Sequence, residues 1–260
     1  MNPEILQNRL AFLGLPSIRY FDQLGSTNDE ALAWIEAGAA EGSLVVADSQ
    51  TSGRGRLARK WVTKPGSSLA FSLILKPTIP ERDPIALFSP LAGLALCQVL
   101  QQHYAVPARM KWPNDVLIRR QKLAGILTEA NWSDDQTRGI VIGVGINIAV
   151  ESLPSPDELL FPATCLEQHT NYPVDRMDLL GKVIQKIIAL REIIGQAEFF
   201  AAWKSNLAFL GEEVHIESAG KAPIIGKVKN IDQNGNLLLK LKDNTIYSVT
   251  AGDVHLRPSK

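Results

Sequence analysis

Two periods of apolar and polar residues alternate along this chain. Between Pro3 and Leu13 the leucines Leu6, Leu10 and Leu13 recur at helical spacing, and Gly14 ends the run. Ile18–Leu24 reads as extended. Thr27 and Glu30 form a capping-box pair ahead of a helical run from Ala31 to Ala37, which Gly38 closes. Ser43–Asp48 is a short apolar strand. In Ser67–Leu75 the period falls to two: Leu69, Phe71, Leu73 and Leu75 share one face, which predicts a half-buried strand. Ile85–His103 is apolar at helical spacing, and Pro90 predicts a break into two pieces. Strands follow at 108–112, 116–118, 122–127 and 139–148. Pro113-Asn114-Asp115, Arg119-Arg120-Gln121 and Asp134-Asp135 separate them as turns. Helices at 178–191 and 197–207 come next.

From Gly211 the pattern changes. Short alternating runs at 214–216, 226–231, 236–241 and 245–250 are joined by Asn234-Gly235 and Asp243-Asn244. Asn-Gly between alternating apolar runs is a hairpin signal. The chain is therefore expected to divide into residues 1–210 and a small antiparallel β-barrel at 211–260.

The 27 basic and 27 acidic side chains give no net charge, so any basic patch is local and no global field draws DNA or an anionic membrane. Cys97 and Cys165 lack the spacing of a zinc or redox motif and are expected to be buried thiols. The N-terminal residues lack the charge-then-apolar order of a signal peptide, and no apolar stretch is expected to reach the ~18 residues of a membrane span. A cytoplasmic location is expected.

Against this neutral background, Gly53-Arg54-Gly55-Arg56-Leu57-Ala58-Arg59-Lys60-Trp61 puts four cations in nine residues. Glycine lets a ligand approach the main chain, and arginine's planar fork matches carboxylate and phosphate oxygens. Ser26-Thr27-Asn28, Gln50, Lys111, Asn114, Asp115, Lys122 and Asn147 all stand where strands meet turns or helices. Charges beside apolar strands are costly unless paired or functional. Strand ends gathered on one side make a cleft, and several cations with one acid suit a triphosphate with its metal. Taken singly, Lys122 could be an edge lysine that blocks strand pairing. Gly143 and Gly145 inside a strand mark close approach by a ligand or another part of the chain. Asn147 is either satisfied in the core or faces a ligand.

Gly53-Arg54-Gly55-Arg56-x-x-Arg59-x-Trp61, Lys111-Trp112-Pro113-Asn114-Asp115, Lys122-Leu123-Ala124-Gly125-Ile126-Leu127 and Gly143-Val144-Gly145-Ile146-Asn147 resemble, in order and spacing, the motifs of biotin protein ligases. Ser26-Thr27-Asn28 resembles that family's upstream motif, and Ala251-Gly252-Asp253-Val254 its closing one. The resemblance covers nearly the whole chain. It implies an α+β fold: a mixed β-sheet with packed helices, like the catalytic domain of class II aminoacyl-tRNA synthetases, followed by a barrel of the Src-homology-three type. It further implies a ligase that converts biotin and MgATP to biotinyl-5′-adenylate and pyrophosphate. The biotin then passes to a lysine of a biotin carboxyl carrier protein domain, typically of acetyl-CoA carboxylase.

Carried onto this chain, the resemblance assigns biotin contacts to Ser26, Thr27, Asn28, Gln50, Arg54, Gly55, Arg56, Lys122 and Gly125. ATP contacts fall to Arg56, Arg59, Trp61, Lys111, Asn114, Asp115, Lys122 and Asn147. Lys122, Arg56 and Asp115 are the expected catalytic residues. Mg²⁺ is expected to ride on the ATP phosphates with few protein ligands, and Asp115 either orients that metal or takes the acceptor's proton. Only 25 residues precede Ser26, too few for the winged helix of repressor members, so no operator binding is expected. Relatives are monomers or weak homodimers, and no pattern here decides between them. In the loop from Pro154 to Thr164, Phe161 is the one aromatic available to an adenine. The rivals are a lipoate or octanoate ligase or transferase of the same fold, whose usual loop is Arg-Arg-Gly rather than Gly-Arg-Gly-Arg, and a non-catalytic biotin-sensing module.

Overall fold

A computed structural model describes residues 3–56, 59–78, 81, 85–133, 136–155, 161–218, 223–250 and 254–258. Seven strands form the main sheet: β1 (Ile18–Leu24), β2 (Leu44–Gln50), β3 (Ser68–Leu75), β4 (Ala108–Lys111), β5 (Asp115–Ile118), β6 (Gln121–Ser133) and β7 (Gln136–Asn147). Their order is β1-β2-β3-β7-β6-β5-β4. Only β1 and β2 run parallel, so the sheet is mixed.

Helices cover both faces. On one, α2 (Thr27–Glu36) packs Ala31, Trp34 and Ile35 against Val45, Ile74 and Val141. On the other, α3 (Phe88–Tyr104) lies between the sheet and α4 (Arg176–Arg191), which also carries α1 (Pro3–Leu10). β3, between β2 and β7, is therefore buried at every residue rather than half-buried. Its second face looked solvent-directed because it carries serines, but the Ser72 hydroxyl donates to Asn28 Oδ1 at 2.7 Å beneath α2.

Pro90 does not break the apolar helix. It is the third residue of α3, in the first turn, where its missing N–H has no intrahelical partner to lose. The segment Ile85–Tyr104 has the length and mean hydropathy (1.4) of a membrane span, contrary to the expectation from sequence, but two-thirds of it is packed inside the protein. It is a core helix. Helix α2 starts four residues before the predicted run, with Ser26 rather than Thr27 as N-cap; the Ser26 hydroxyl accepts from the Asp29 N–H. Cys97 and Cys165 are free and buried, as expected.

After α5 (Ala197–Asn206), a second sheet runs antiparallel in the order β11-β10-β9-β8-β12. Its strands are β8 (Glu213–Ser218), β9 (Ile224–Ile231), β10 (Leu237–Lys240), β11 (Ile246–Val249) and β12 (Val254–Pro258). The Asn234-Gly235 turn forms with Gly235 at φ 80°, and the Asp232 carboxylate accepts from the Asn234 and Asn236 N–H groups. Of the closing motif, Ala251, Gly252 and Asp253 lie outside the described residues, as does the predicted Asp134-Asp135 turn. Leu207, Val214, Ile216, Val228 and Leu237 belong to the same apolar cluster as the main sheet. The Trp112 indole N–H donates across the junction to the Gly235 carbonyl at 2.8 Å.

Candidate active site

The site lies over β5, β6 and β7, where the sheet carries glycine. Gly125 pairs with Gly145 and Leu127 with Gly143. These positions lack a Cβ because other side chains occupy its place. A Cβ on Gly143 would fall 2.0 Å from Asn28 Oδ1, and one on Gly145 would fall 2.2 Å from Trp61 Nε1. On Gly125 it would stand 3.2 Å from Trp61 Cζ3. The close approach expected at Gly143 and Gly145 is thus made by the chain itself, with the Trp61 indole lying flat on the glycine strip. The Trp61 indole N–H is buried and has no partner. An unmet buried donor is costly, which suits a ligand acceptor at that point.

Helix α2 closes one end. The Thr27 N–H and hydroxyl both donate to Gln50 Oε1, at 2.8 and 3.1 Å, which orients the Gln50 amide at the end of β2. The Asn28 amide donates to the Leu127 carbonyl at 3.1 Å and to Glu129 at 2.7 Å. Both Asn28 donors and one acceptor position are therefore used within the protein, although Ser26, Thr27, Asn28 and Gln50 all line the cleft.

The glycine-arginine loop is folded back on itself. The Gly55 N–H donates to the Arg59 carbonyl at 2.7 Å and the Trp61 N–H to the Gly53 carbonyl at 2.8 Å. Leu57 and Ala58 lie outside the described residues. Arg54 also lines the cleft, and its guanidinium pairs with Asp29 at 2.5 Å and Glu129 at 2.9 Å. Sequence reading did not single out Asp29 or Glu129. The only signal was an acid two residues beyond Leu127 on an otherwise apolar strand. Gly55, Arg56, Arg59 and Trp61 line the cleft as expected, together with Lys60, which was not singled out.

At the far end stands a charged triad. Lys111 on β4 faces Asp115 on β5 across the ladder, and a bulge in the β5–β6 pairing brings Lys122 to the same carboxylate. Asp115 receives Lys122 Nζ at 2.7 Å and Lys111 Nζ at 3.2 Å. Burial pushes the Asp115 carboxyl up, but two ammonium groups outweigh it and hold it below its ordinary value. Burial pushes the Lys111 ammonium down; Asp115 opposes this, while Lys122 and Arg59 add to it. Lys122 is no edge lysine, because its backbone pairs on its open side too: its N–H donates to the Pro162 carbonyl and its carbonyl accepts from the Thr164 N–H. Phe161 lies under Lys111 Nζ at 4.3 Å from the ring centre.

Two amides assigned to the nucleotide are engaged by main chain. The Asn114 Nδ2 donates to the Ile126 carbonyl at 2.7 Å, and the Asn147 Nδ2 donates to the Thr164 carbonyl at 3.1 Å. Asn147 thus has a core partner and also stands at the cleft wall. Among the described residues no three His, Cys, Asp or Glu side chains gather to hold a metal. Asp115 is engaged by two lysines, so the donor set offers no protein cage for Mg²⁺. The cleft and the open space at its mouth together span about 1270 Å³.

The sequence matches the Biotin/lipoate A/B protein ligase family over residues 20–147 and the Biotin protein ligase C terminal domain over residues 209–257. The bifunctional ligase/repressor BirA of Bacillus subtilis is 35% identical over 244 residues, covering 91% of this chain and 73% of the relative. The biotin–[acetyl-CoA-carboxylase] ligase of Mycobacterium tuberculosis is 31% identical over 242 residues, covering 90% of this chain and 87% of the relative. Among solved structures, the biotin protein ligase of Aquifex aeolicus in complex with biotin and ATP superposes with a TM-score of 0.80 at 31% identity, over 94% of this chain and all of that one. The fold is that of the biotin and lipoate protein ligases. Within it, the chain belongs to the biotin protein ligases.

Proposed function

We propose that the protein activates biotin with MgATP and transfers it to a lysine of a biotin carboxyl carrier protein domain, in the cytoplasm. The observation that carries this reading is the Lys111–Asp115–Lys122 triad at one end of a glycine-floored cleft, with the arginine loop over it. In this reading residues 1–210 form the biotin and ATP domain, and residues 211–260 a small domain that supports its core through Trp112 and Gly235.

In the first step a carboxylate oxygen of biotin attacks the α-phosphorus of ATP. The bond to the β-phosphate oxygen breaks, and pyrophosphate leaves with the electron pair. Two anions must meet, so the chemistry is chiefly positioning and charge stabilisation. Lys122 neutralises the incoming carboxylate and the α-phosphate. Lys111, Arg56 and Arg59 take the phosphate charge. MgATP enters as the substrate, and its metal supplies further charge neutralisation on the phosphates. Asp115 holds the two ammonium groups together. Its depressed pKa makes it a weak base, so its role is to position Lys122 rather than to take a proton.

The biotin head lies beside the Trp61 indole that covers the glycine strip, with Gln50, Ser26 and Thr27 at its polar end and the Arg54–Gly55 main chain above. The unpartnered Trp61 indole N–H supplies a donor toward the bound acid or its adenylate. In the second step the acceptor amine attacks the acyl carbon, the bond to the AMP oxygen breaks with AMP leaving on the electron pair, and the amine's proton passes to solvent.

Incubation with MgATP and either biotin or lipoate, followed by mass spectrometry, tests the reading. Biotinyl-adenylate from biotin alone is the expected product. An adenylate from lipoate alone would move the chain to the lipoate branch of its family.

A further inference from the structure

The three strands that hold the charged triad continue into a second groove. Residues two apart on a strand share a face. Arg109 therefore lies on the face of Lys111, and Leu117 on the face of Asp115; the Arg109–Leu117 pair stands two ladder steps from Lys111–Asp115, past Met110–Val116, about 7 Å away. Arg109, Leu117, Arg119, Arg120, Phe209 and Leu210 line this groove where the main sheet meets the approach to the second sheet. Its centre is apolar and its rim is basic. Three guanidinium groups face one carboxylate, Glu212, which pairs with Arg120 at 2.6 Å. The Arg120 guanidinium also lies over the Phe209 ring, 5.4 Å from its centre. Arg109, Arg119 and Arg120 are exposed.

The backbone here is held in an unusual form. Arg119 (φ 47°), Arg120 (φ 66°) and Phe209 (φ 62°) are three of the five non-glycine residues with left-handed backbone among those described. A two-residue hairpin tip that Asn-Gly would form without strain carries two arginines instead. Such a tip, two residues from Lys122, places cations at the groove at a conformational cost.

We propose that this groove docks the acceptor protein, and that the acceptor presents an apolar side chain flanked by carboxylates beside its modified lysine. The proposal rests on the ligase reading above. The acceptor is a folded domain that must bring one amine to the triad, and the groove begins two ladder steps from it, on the same face. Rim charges of opposite sign steer encounter, while an apolar centre holds the docked partner.

The test compares wild type with Arg109→Glu/Arg119→Glu. A second variant, Arg119→Asn/Arg120→Gly, removes two cations while giving the turn residues it prefers. Two quantities are read: biotinyl-adenylate formation from biotin and MgATP, and the KM for a purified biotin carboxyl carrier domain. The expected result is adenylate formation within twofold of wild type in both variants. The KM should rise tenfold or more in the charge-reversal variant and severalfold in the turn variant. Raising NaCl from 50 to 300 mM should raise the wild-type KM severalfold, with little effect on the charge-reversal variant. Normal adenylate formation with an acceptor KM within twofold of wild type in both variants would overturn the docking assignment alone. A wild-type chain that makes no biotinyl-adenylate would overturn the ligase reading and the docking assignment with it.

Discussion

A methyl group on Gly145 would stand 2.2 Å from the indole nitrogen of Trp61, closer than any real Cβ contact. Gly145 sits in β7 between two paired strands, so its backbone has little room to yield. Gly145→Ala should therefore displace Trp61, lowering stability by about 2 kcal/mol and adenylation by more than tenfold. If Trp61→Leu in the same chain failed to restore the lost stability, the two residues would not be coupled as described. At the other end of the cleft, Lys122→Ala removes one of the two ammonium groups on Asp115. Pyrophosphate release should fall by well over an order of magnitude. A near-normal rate would remove Lys122 from the first step.

The Arg54 side chain tethers the glycine-arginine loop. Arg54 joins it to α2 through Asp29 and to β6 through Glu129. These groups are partly exposed, so each pair contributes little to global stability. Their effect is local: Glu129→Gln should free the loop and raise leakage of biotinyl-adenylate into solution a few-fold, with trypsin cutting the loop faster. Equal cleavage rates in variant and wild type would count against the tether.

Helix α4 shows a tighter clamp. Arg191 binds Glu81 at 2.7 Å through Nε and also donates to the Lys76 carbonyl. Burial pushes the Glu81 carboxyl up, but the Arg191 fork and the Thr78 N–H and hydroxyl outweigh it, bringing it from 4.5 to about 2. A depressed folded pKa adds stability that is fully present above about 4.5 and is lost as pH falls through about 2. Glu81→Gln should thus cost ~2–3 kcal/mol in urea unfolding at pH 7 and much less at pH 2.5. A cost independent of pH would point to packing instead.

One apolar cluster runs from α1 through the main sheet into β8, β9 and β10. Trp112 and Trp203 are both buried at the junction, each close to the Gly235 turn. The two sheets should therefore unfold together. Tryptophan fluorescence and far-UV circular dichroism should give one coincident transition, and Trp112→Phe should shift both by about 1 kcal/mol. Two separated transitions would mean that the second sheet is an independent unit.

Periodicity and turn chemistry, read along the chain, located every strand of the main sheet and the helices that cover it. The motifs also named the cleft residues: Lys111, Asp115, Lys122, Gln50 and the glycine-arginine loop all line one cavity. Those signals are local, because each depends on neighbours within a turn or two of the same element. What could not be read there depends on pairs far apart in the chain. Asn28 reaches Leu127 across 99 residues, Arg54 reaches Glu129 across 75, and Trp112 reaches Gly235 across 123. Such contacts decided that Thr27 orients Gln50 instead of capping its helix, that the second face of β3 is dry, and that Gly145 is glycine because an indole lies on it. They also aligned Arg109 and Leu117 two ladder steps beyond the triad, on its face. A sequence fixes which residues are able to bond. Only closure of the sheet sets which of them meet, because the entropy of bringing distant segments together is overcome by the shared core and not by any one pair.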